Sequence, residues 1–245
     1  MLTKLILILS LGISSVTLAV NSQNSIPSNT KNKIELHLLS LFPDLKNIEI
    51  THTDIQDVYQ FWAGTQLNYV QYKDGHIFLG ELYNLERKVS LAREAEQKNI
   101  ASLINRLNKN DLIRYPAQNE KHEISIFTDV DCHFCRKIHT EIPKLNAAGI
   151  SVQYVAFPAY SRDINKHISV WCADNPLKAM NSAKKGFSIP EKNCKNSVRQ
   201  TLNLGSSLGF NGTPNIVYAT GETVEGYQSA EQIIAHLNQA KNKHP

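Results

Sequence analysis

Internal repeats, basic clusters with interleaved aromatics and long hydrophobic runs are all missing from this chain of 245 residues. The absence of repeats excludes a repeat architecture. The absence of basic clusters, with a net charge of only +4 spread along the sequence, leaves no nucleic-acid footprint. The longest apolar run, Leu5–Leu18, is short for a helix that spans a membrane. Low-complexity sequence is confined to one polar stretch, Val20–Asn32, which reads as unstructured. Cysteine is scarce: four thiols, all after residue 131. The length still holds one large domain or two small ones, with ample material for a core.

What is present begins with an export signal over residues 1–19. Lys4 supplies a positive start, an apolar stretch follows, and Thr17-Leu18-Ala19 offers small residues at the two positions a signal peptidase reads. An uncleaved membrane anchor is the alternative. A basic start and export suit the periplasm, where disulfides form and an even number of cysteines pairs naturally.

The central feature is Cys132-His133-Phe134-Cys135. Glu123–Thr128 before it reads as a short apolar strand, and Asp129-Val130-Asp131 as a polar turn. After it Ile138, Ile142 and Leu145 recur at helical spacing, with Pro143 bending or breaking the helix and Gly149 closing it. Val152–Phe157 is a second strand. A C-x-x-C inside a strand–helix–strand unit reads as redox. A thiol at a helix start gains unpaired N–H groups and the positive end of the helix dipole. An ordinary thiol is only about 3% ionised at pH 7, and a drop of ~3 units in pKa makes it almost fully thiolate. Cys132 is therefore expected to attack and Cys135 to resolve the mixed disulfide, with His133 and Phe134 tuning the sulfur. A static disulfide or a buried thiol pair is the alternative. Zinc is another, because Cys132, Cys135 and His139 have ligand-like spacing, although no second ligand pair follows. Haem attachment is excluded, since Arg136 stands where a histidine is required. The expected chemistry needs no metal and no organic cofactor.

Cys172 and Cys194 flank a polar segment with Asn175-Pro176, Lys184-Lys185-Gly186 and Ile189-Pro190. They read as a structural disulfide clamping a helical insertion, worth about 3 kcal/mol by chain entropy. Two free buried thiols are the alternative. Thr213-Pro214 stands just before the strand Asn215–Ala219, where a cis bond would set the Thr213 backbone beside the thiols for an extended substrate; a trans turn is the default.

The remainder divides at about residues 33–87, 88–114 and 115–245. The first part opens with a short helix stopped by Pro43, followed by strands over Ile55–Trp62, Leu67–Tyr72 and His76–Leu79, with Asp74-Gly75 as a hairpin turn. A unit of ~55 residues is marginal alone, which gives it a motive to pair with a second copy. Ser90–Asn110 is a helix with Ser90 as its N-cap. It reads as a linker between domains, or else as a helix packed on either core. Helices follow over Asp163–Trp171, Leu177–Lys185, Ser197–Leu208 and Ala230–Ala240.

These residues together resemble the periplasmic protein-disulfide isomerases of the DsbC/DsbG type. Phe127-Thr128-Asp129 leading into the C-x-x-C, Tyr154-Val155-Ala156-Phe157-Pro158, Trp171-Cys172-Ala173, Gly212-Thr213-Pro214 and Gly226-Tyr227-Gln228 carry the likeness. The resemblance implies an α+β protein: a small β-rich dimerisation domain, a linker helix and a thioredoxin-like α/β domain with a helical insertion. It implies a V-shaped homodimer acting on misfolded disulfide-containing periplasmic proteins. It implies that Thr213 and cis-Pro214 bind substrate, that Cys172–Cys194 is structural, and that a membrane thiol reductase of the DsbD type keeps the active pair reduced. The central dipeptide departs from the family's usual Gly-Tyr or Pro-Tyr. Where thioredoxins carry Trp before the first cysteine and a buried Asp six residues before it, this chain has Asp131 and Ile126. The unusual dipeptide keeps a thiol oxidase or a client-specific reductase of the same fold, or a chaperone-like binding module, as alternative readings.

Overall fold

The computed structural model describes residues 26–45, 48–63, 66–159 and 163–243, so the export-signal expectation for 1–19 lies outside them. The chain divides into two compact units, residues 1–61 with 69–77, and 62–68 with 78–245.

The N-terminal part carries helix α1 (Ser28–Leu41) and an antiparallel-edged sheet in the order β1 (Ile50–His52), β2 (Val58–Ala63), β3 (Gln66–Gln71), β4 (His76–Phe78). Helix α1 begins inside the stretch expected to be unstructured. It has a reason to form there, because Ile34 and Leu38, one turn apart, are both buried. The strand expected from Ile55 starts only at Val58. The Thr53 hydroxyl accepts from the Ile55 N–H at 3.1 Å, Val58 N–H closes onto Ile55 O at 3.2 Å, and Asp57 has φ +59°, so 53–58 is a turn. Strand β1, ahead of that turn, was not expected. The Asp74-Gly75 turn forms as anticipated, with Gly75 at φ +69° and its N–H on Tyr72 O.

The second unit is built on five strands in the order β11-β10-β8-β9-β7. Between the N-terminal sheet and these come the short pair β5 (Tyr83–Asn84) and β6 (Val89–Ser90), then helix α2 (Leu91–Asn105), whose N-cap Ser90 accepts from Arg93 N–H. Strand β7 (Ile113–Tyr115), absent from the strands expected from sequence, pairs antiparallel with β9 (Ile150–Ala156). Strand β8 (His122–Thr128) lies between β9, which runs parallel to it, and β10 (Asn215–Tyr218), which runs antiparallel. Strand β11 (Thr223–Glu225) closes the edge. Helices α3 (His133–His139) and α4 (Ile142–Ala147) follow β8 and are separated near Pro143; α5 (Ile164–Trp171) and α6 (Pro176–Lys184) form the insertion; α7 (Val198–Ser207) and α8 (Ala230–Lys243) complete the chain.

Side chains on the central strands alternate between two cores. Ile124, Ile126, Val152, Tyr154 and Ile216 face one, with Ile138, Leu145, Met180 and Ile233 from the helices. Phe127, Val155 and Val217 face the other, with Phe157, Phe210 and Ile104 of α2. Both faces are covered, so β8 and β9 read as nearly continuous apolar runs. Helix α2, itself within the second unit, therefore packs its C-terminal half on this core through Ile104, with Ile100 and Leu107 beside it. The approach is close: a Cβ on Gly221, at φ +85° in the β10–β11 turn, would stand 1.7 Å from Gln97 O.

Gly205 on α7 lies against the Phe127–Phe157–Phe210 cluster, whose rings meet edge-on at 5.0–6.3 Å. A Cβ there would stand 2.6 Å from Phe157 Cε2 and 2.7 Å from Cδ2. Gly205→Ala is expected to lower unfolding free energy by roughly 1–3 kcal/mol, as overpacking does. Denaturant titration measures it, and an unchanged midpoint would remove this account of the packing.

Candidate active site

Strand β8 delivers the chain to the site and α3 receives it. Cys132 is the N-cap of α3, and its carbonyl accepts the first helical bond from Arg136 N–H at 3.0 Å. The turn before it, read as polar, is buried: Asp129 and Val130 are fully enclosed. The Asp129 carboxylate accepts from Asp131 N–H at 2.9 Å, which folds the chain back so that α3 can start. Cys132 and Cys135 are both unlinked in this structure. Cys135 is wholly enclosed, while Cys132 keeps 5% of its surface. The exposed tip of the motif is Phe134, whose ring meets that of His133 edge-on at 5.5 Å.

Thr213 and Pro214 are brought to the same sulfur by β10, the neighbour of β8. Their peptide bond is cis. As a thiol, Cys132 donates to Thr213 O at 3.2 Å. The Thr213 hydroxyl is buried without a hydrogen-bond partner here, so a thiolate at either sulfur is an acceptor open to it. Cys172, at the end of α5, and Cys194 are joined by a disulfide with Cα atoms 5.6 Å apart, closing the loop that holds α6.

Electrostatics divide the two thiols. Cys132 is lowered to about 5, first by a hydrogen bond from the Cys135 thiol, then by the Thr213 hydroxyl and the backbone N–H groups of Cys135 and Phe134, against the opposing effect of burial. Cys135 is pushed far up by burial and by its neighbour sulfur. The donors that acidify Cys132 thus come from across the site and from the helix start. The His133 ring, expected to tune the sulfur, meets Phe134 edge-on and is not among the groups that act on it. Asp131 takes Lys166 Nζ at 2.5 Å and Arg136 at 3.3 Å, so its charge beside the motif is neutralised.

Three further groups lie near the thiols: half-buried His139, weighed from sequence only as a zinc ligand, and His167 and Lys184, both buried, whose place here sequence reasoning missed. His139 is lowered to about 4, chiefly by burial, and its Nδ1 meets Tyr154 Oη at 3.1 Å. His167 is fully enclosed, with Nε2 accepting from Val130 N–H at 3.2 Å. Lys184 is 5% exposed and donates to Thr128 Oγ1 and Asp129 O. The sequence places Lys184 in a polar segment, near the end of a helix over Leu177–Lys185. Its place next to Ala183 and four residues after Met180, on the buried side of α6, was the available signal. Among the described residues, no group of three or more His, Cys, Asp or Glu is arranged to hold a metal ion.

A family model of a thioredoxin-like domain matches residues 109–241, and one of the disulfide bond isomerase protein N-terminal domain matches residues 23–93. Relatives include the thiol:disulfide interchange protein DsbC of Haemophilus influenzae, 32% identical over 80% of this chain and 86% of its own length. That of Salmonella typhimurium is 34% identical over 70% and 72%, and that of Pasteurella multocida 30% over 95% and 97%. The chain belongs to the DsbC family of thiol:disulfide interchange proteins. It is an enzyme of thiol:disulfide interchange, a protein-disulfide isomerase of α+β class with the family's N-terminal domain and a thioredoxin-like C-terminal domain. Such chemistry needs one ionised sulfur within reach of a client and a second held in reserve, which is how the two thiols differ here.

Alkylation of the reduced protein should therefore proceed at Cys132 alone, with a midpoint near 5 rather than near the ordinary ~8.5. The sign for stability follows: the contribution of Cys132 is fully present above about 8.5 and lost as pH falls through about 5, while Cys135, whose thiol is pushed up, withdraws stability above about 8.5. Rate against pH, with the modified residue located by mass, measures the first; a midpoint at the ordinary value would remove the electrostatic account.

Proposed function

We propose that this chain reshuffles non-native disulfides of exported proteins in the periplasm, as a homodimer. Cys132 attacks a client disulfide as a thiolate and forms a mixed disulfide. A client thiol then releases it, or Cys135 does so by closing on Cys132. Thr213 and Pro214 align the client strand beside the sulfur, His133 and Phe134 form the exposed lip of the site, and Cys172–Cys194 braces the insertion. The observation that carries this reading is the contrast between the two thiols: one acidified at a helix start, the other enclosed and hard to ionise.

Residues 33–87 act as the dimerisation domain and 88–114 as the connecting helix. Strands β1 and β4 are open edges of the N-terminal sheet, and an open edge suits pairing with a second copy. Leu36 and Leu41 on α1 are exposed by 68% and 63%, apolar surface that a partner copy would cover. Residues 1–19 export the chain. Among the described residues no helix is long and apolar enough to cross a membrane. A membrane thiol reductase of the DsbD type returns the Cys132/Cys135 pair to the dithiol after each closure.

Two measurements test the proposal. Cys132→Ala should abolish recovery of activity from a scrambled multi-disulfide client, whereas Cys135→Ala should accumulate mixed disulfides visible on non-reducing gels; full recovery by Cys132→Ala sinks the assignment. The mass of the mature protein in solution should be twice that of one chain, and a strict monomer would refute the dimer.

A further inference from the structure

Closing the Cys132–Cys135 bond requires Cys135 to lose a proton in a place that water does not reach: the residue has no exposed surface. The position six residues before Cys132 holds Ile126, fully buried and without a proton acceptor. The Asp129 carboxylate is committed to Asp131 N–H and stands 3.8 Å from His167 Nε2. His139 Nδ1 is committed to Tyr154 Oη. The hydroxyls that bear on the Cys135 sulfur are those of Thr128 and Thr213, and Thr128 leads to a base: Lys184 Nζ lies 2.8 Å from Thr128 Oγ1 and 2.6 Å from Asp129 O. Lys184 itself is held by α6 inside the loop that the Cys172–Cys194 disulfide closes.

We propose that Lys184, acting through the Thr128 hydroxyl, takes the proton of Cys135 when the mixed disulfide is resolved, and returns it when the pair is reduced again. This rests on the roles given above to the two cysteines and deepens them. In the resolving step the Cys135 proton passes to Thr128 Oγ1, and the Thr128 proton passes to the unprotonated Nζ, leaving an ammonium. The freed electron pair on the Cys135 sulfur forms the Cys132–Cys135 bond. The bond between Cys132 and the client sulfur breaks, and its electron pair departs on the client thiolate, which takes a proton from solvent. Over both steps the client disulfide is reduced by two electrons and the dithiol is oxidised.

The surroundings of Nζ favour a lysine that changes charge. Cys132, Cys135 and Arg136 face it from the start of α3 and Asp129 from the end of β8. His139, His167 and the Tyr154 ring, 5.7 Å from Nζ to centroid, face it from α3, α5 and β9. Tyr115 of β7, which also packs on α6, is turned to Asn181. Burial lowers Lys184 to about 8, while the two cysteine sulfurs and Asp129 pull it back up. At pH 7 roughly one molecule in ten then holds a neutral amine, against about one in 2,500 for an ordinary lysine. Capping Cys132 in the mixed disulfide removes one of the negative charges that keep Nζ protonated. The base is therefore released at the step that needs it.

Stopped-flow mixing of the reduced full-length protein with Ellman's reagent separates the two sulfurs. The first coloured thiolate reports attack by Cys132 and depends on reagent concentration; the second reports closure by Cys135 and does not. In Lys184→Met the second phase should slow by about tenfold or more at pH 7 and rise with pH until it meets the wild type in the alkaline range, the first phase changing less. Lys184→Arg keeps the charge but accepts no proton, so it should remain slow. Thr128→Val, nearly isosteric, should slow the second phase with Lys184 in place, and carries the test alone if Lys184→Met does not fold. A wild-type second phase across pH in Lys184→Met, its restoration by Lys184→Arg, or an unaltered Thr128→Val would each overturn the proposal. A missing first phase in the wild type would instead overturn the role given to Cys132.

Discussion

The hydrogen bonds converging on the Cys132 sulfur tie the rest of the structure together. They arrive from the start of α3 and from Thr213, some eighty residues away, so the full set of donors is assembled only when β8 and β10 are paired in register, with Phe127 opposite Asn215. The antiparallel ladder between those strands is thus part of the electrostatics. It places the loop before β10 against the loop after β8, and everything that holds the two strands, from the aromatic cluster beneath Phe127 to the helices over Ile126, bears on the thiolate.

Burial works in opposite directions at the two cysteines. Cys132 has enough donors to overcome the desolvation that opposes its charge; Cys135 has fewer and sits deeper, so its proton is retained. In the proposed cycle the asymmetry keeps the second thiol from competing for clients and delays closure of the internal disulfide, which gives a client thiol time to displace Cys132 and leave with a rearranged disulfide. The same protection makes ionisation of Cys135 the demanding step, and Lys184 stands beneath it.

Helix α2 illustrates how one element can serve two readings. Its sequence is amphipathic and charged on one side, as a connecting helix would be. Its second half is nevertheless docked through Ile104, and the Gly221 turn leaves no room for even a methyl group beneath Gln97. The second unit therefore includes α2, whose end contributes Ile104 to its core.

Local chemistry was legible in the sequence: the C-x-x-C at a strand-to-helix junction, the Ser90 cap, the Asp74-Gly75 turn, the break near Pro143 and the apolar runs of β8 and β9. Each depends on residues within one turn or one strand of each other, so neighbouring side chains suffice to specify it. Short strands such as β1 and β7 were not legible, because three residues carry too little periodicity and exist only through their partners. Nor was the start of α1 in a polar stretch, which tertiary burial of Ile34 and Leu38 decides. The reach of the Thr213 hydroxyl to the sulfurs and the enclosure of Lys184 and His167 were decided by tertiary structure alone. A pKa depends on which groups surround a site in space, and those come from segments that only the folded sheet brings together.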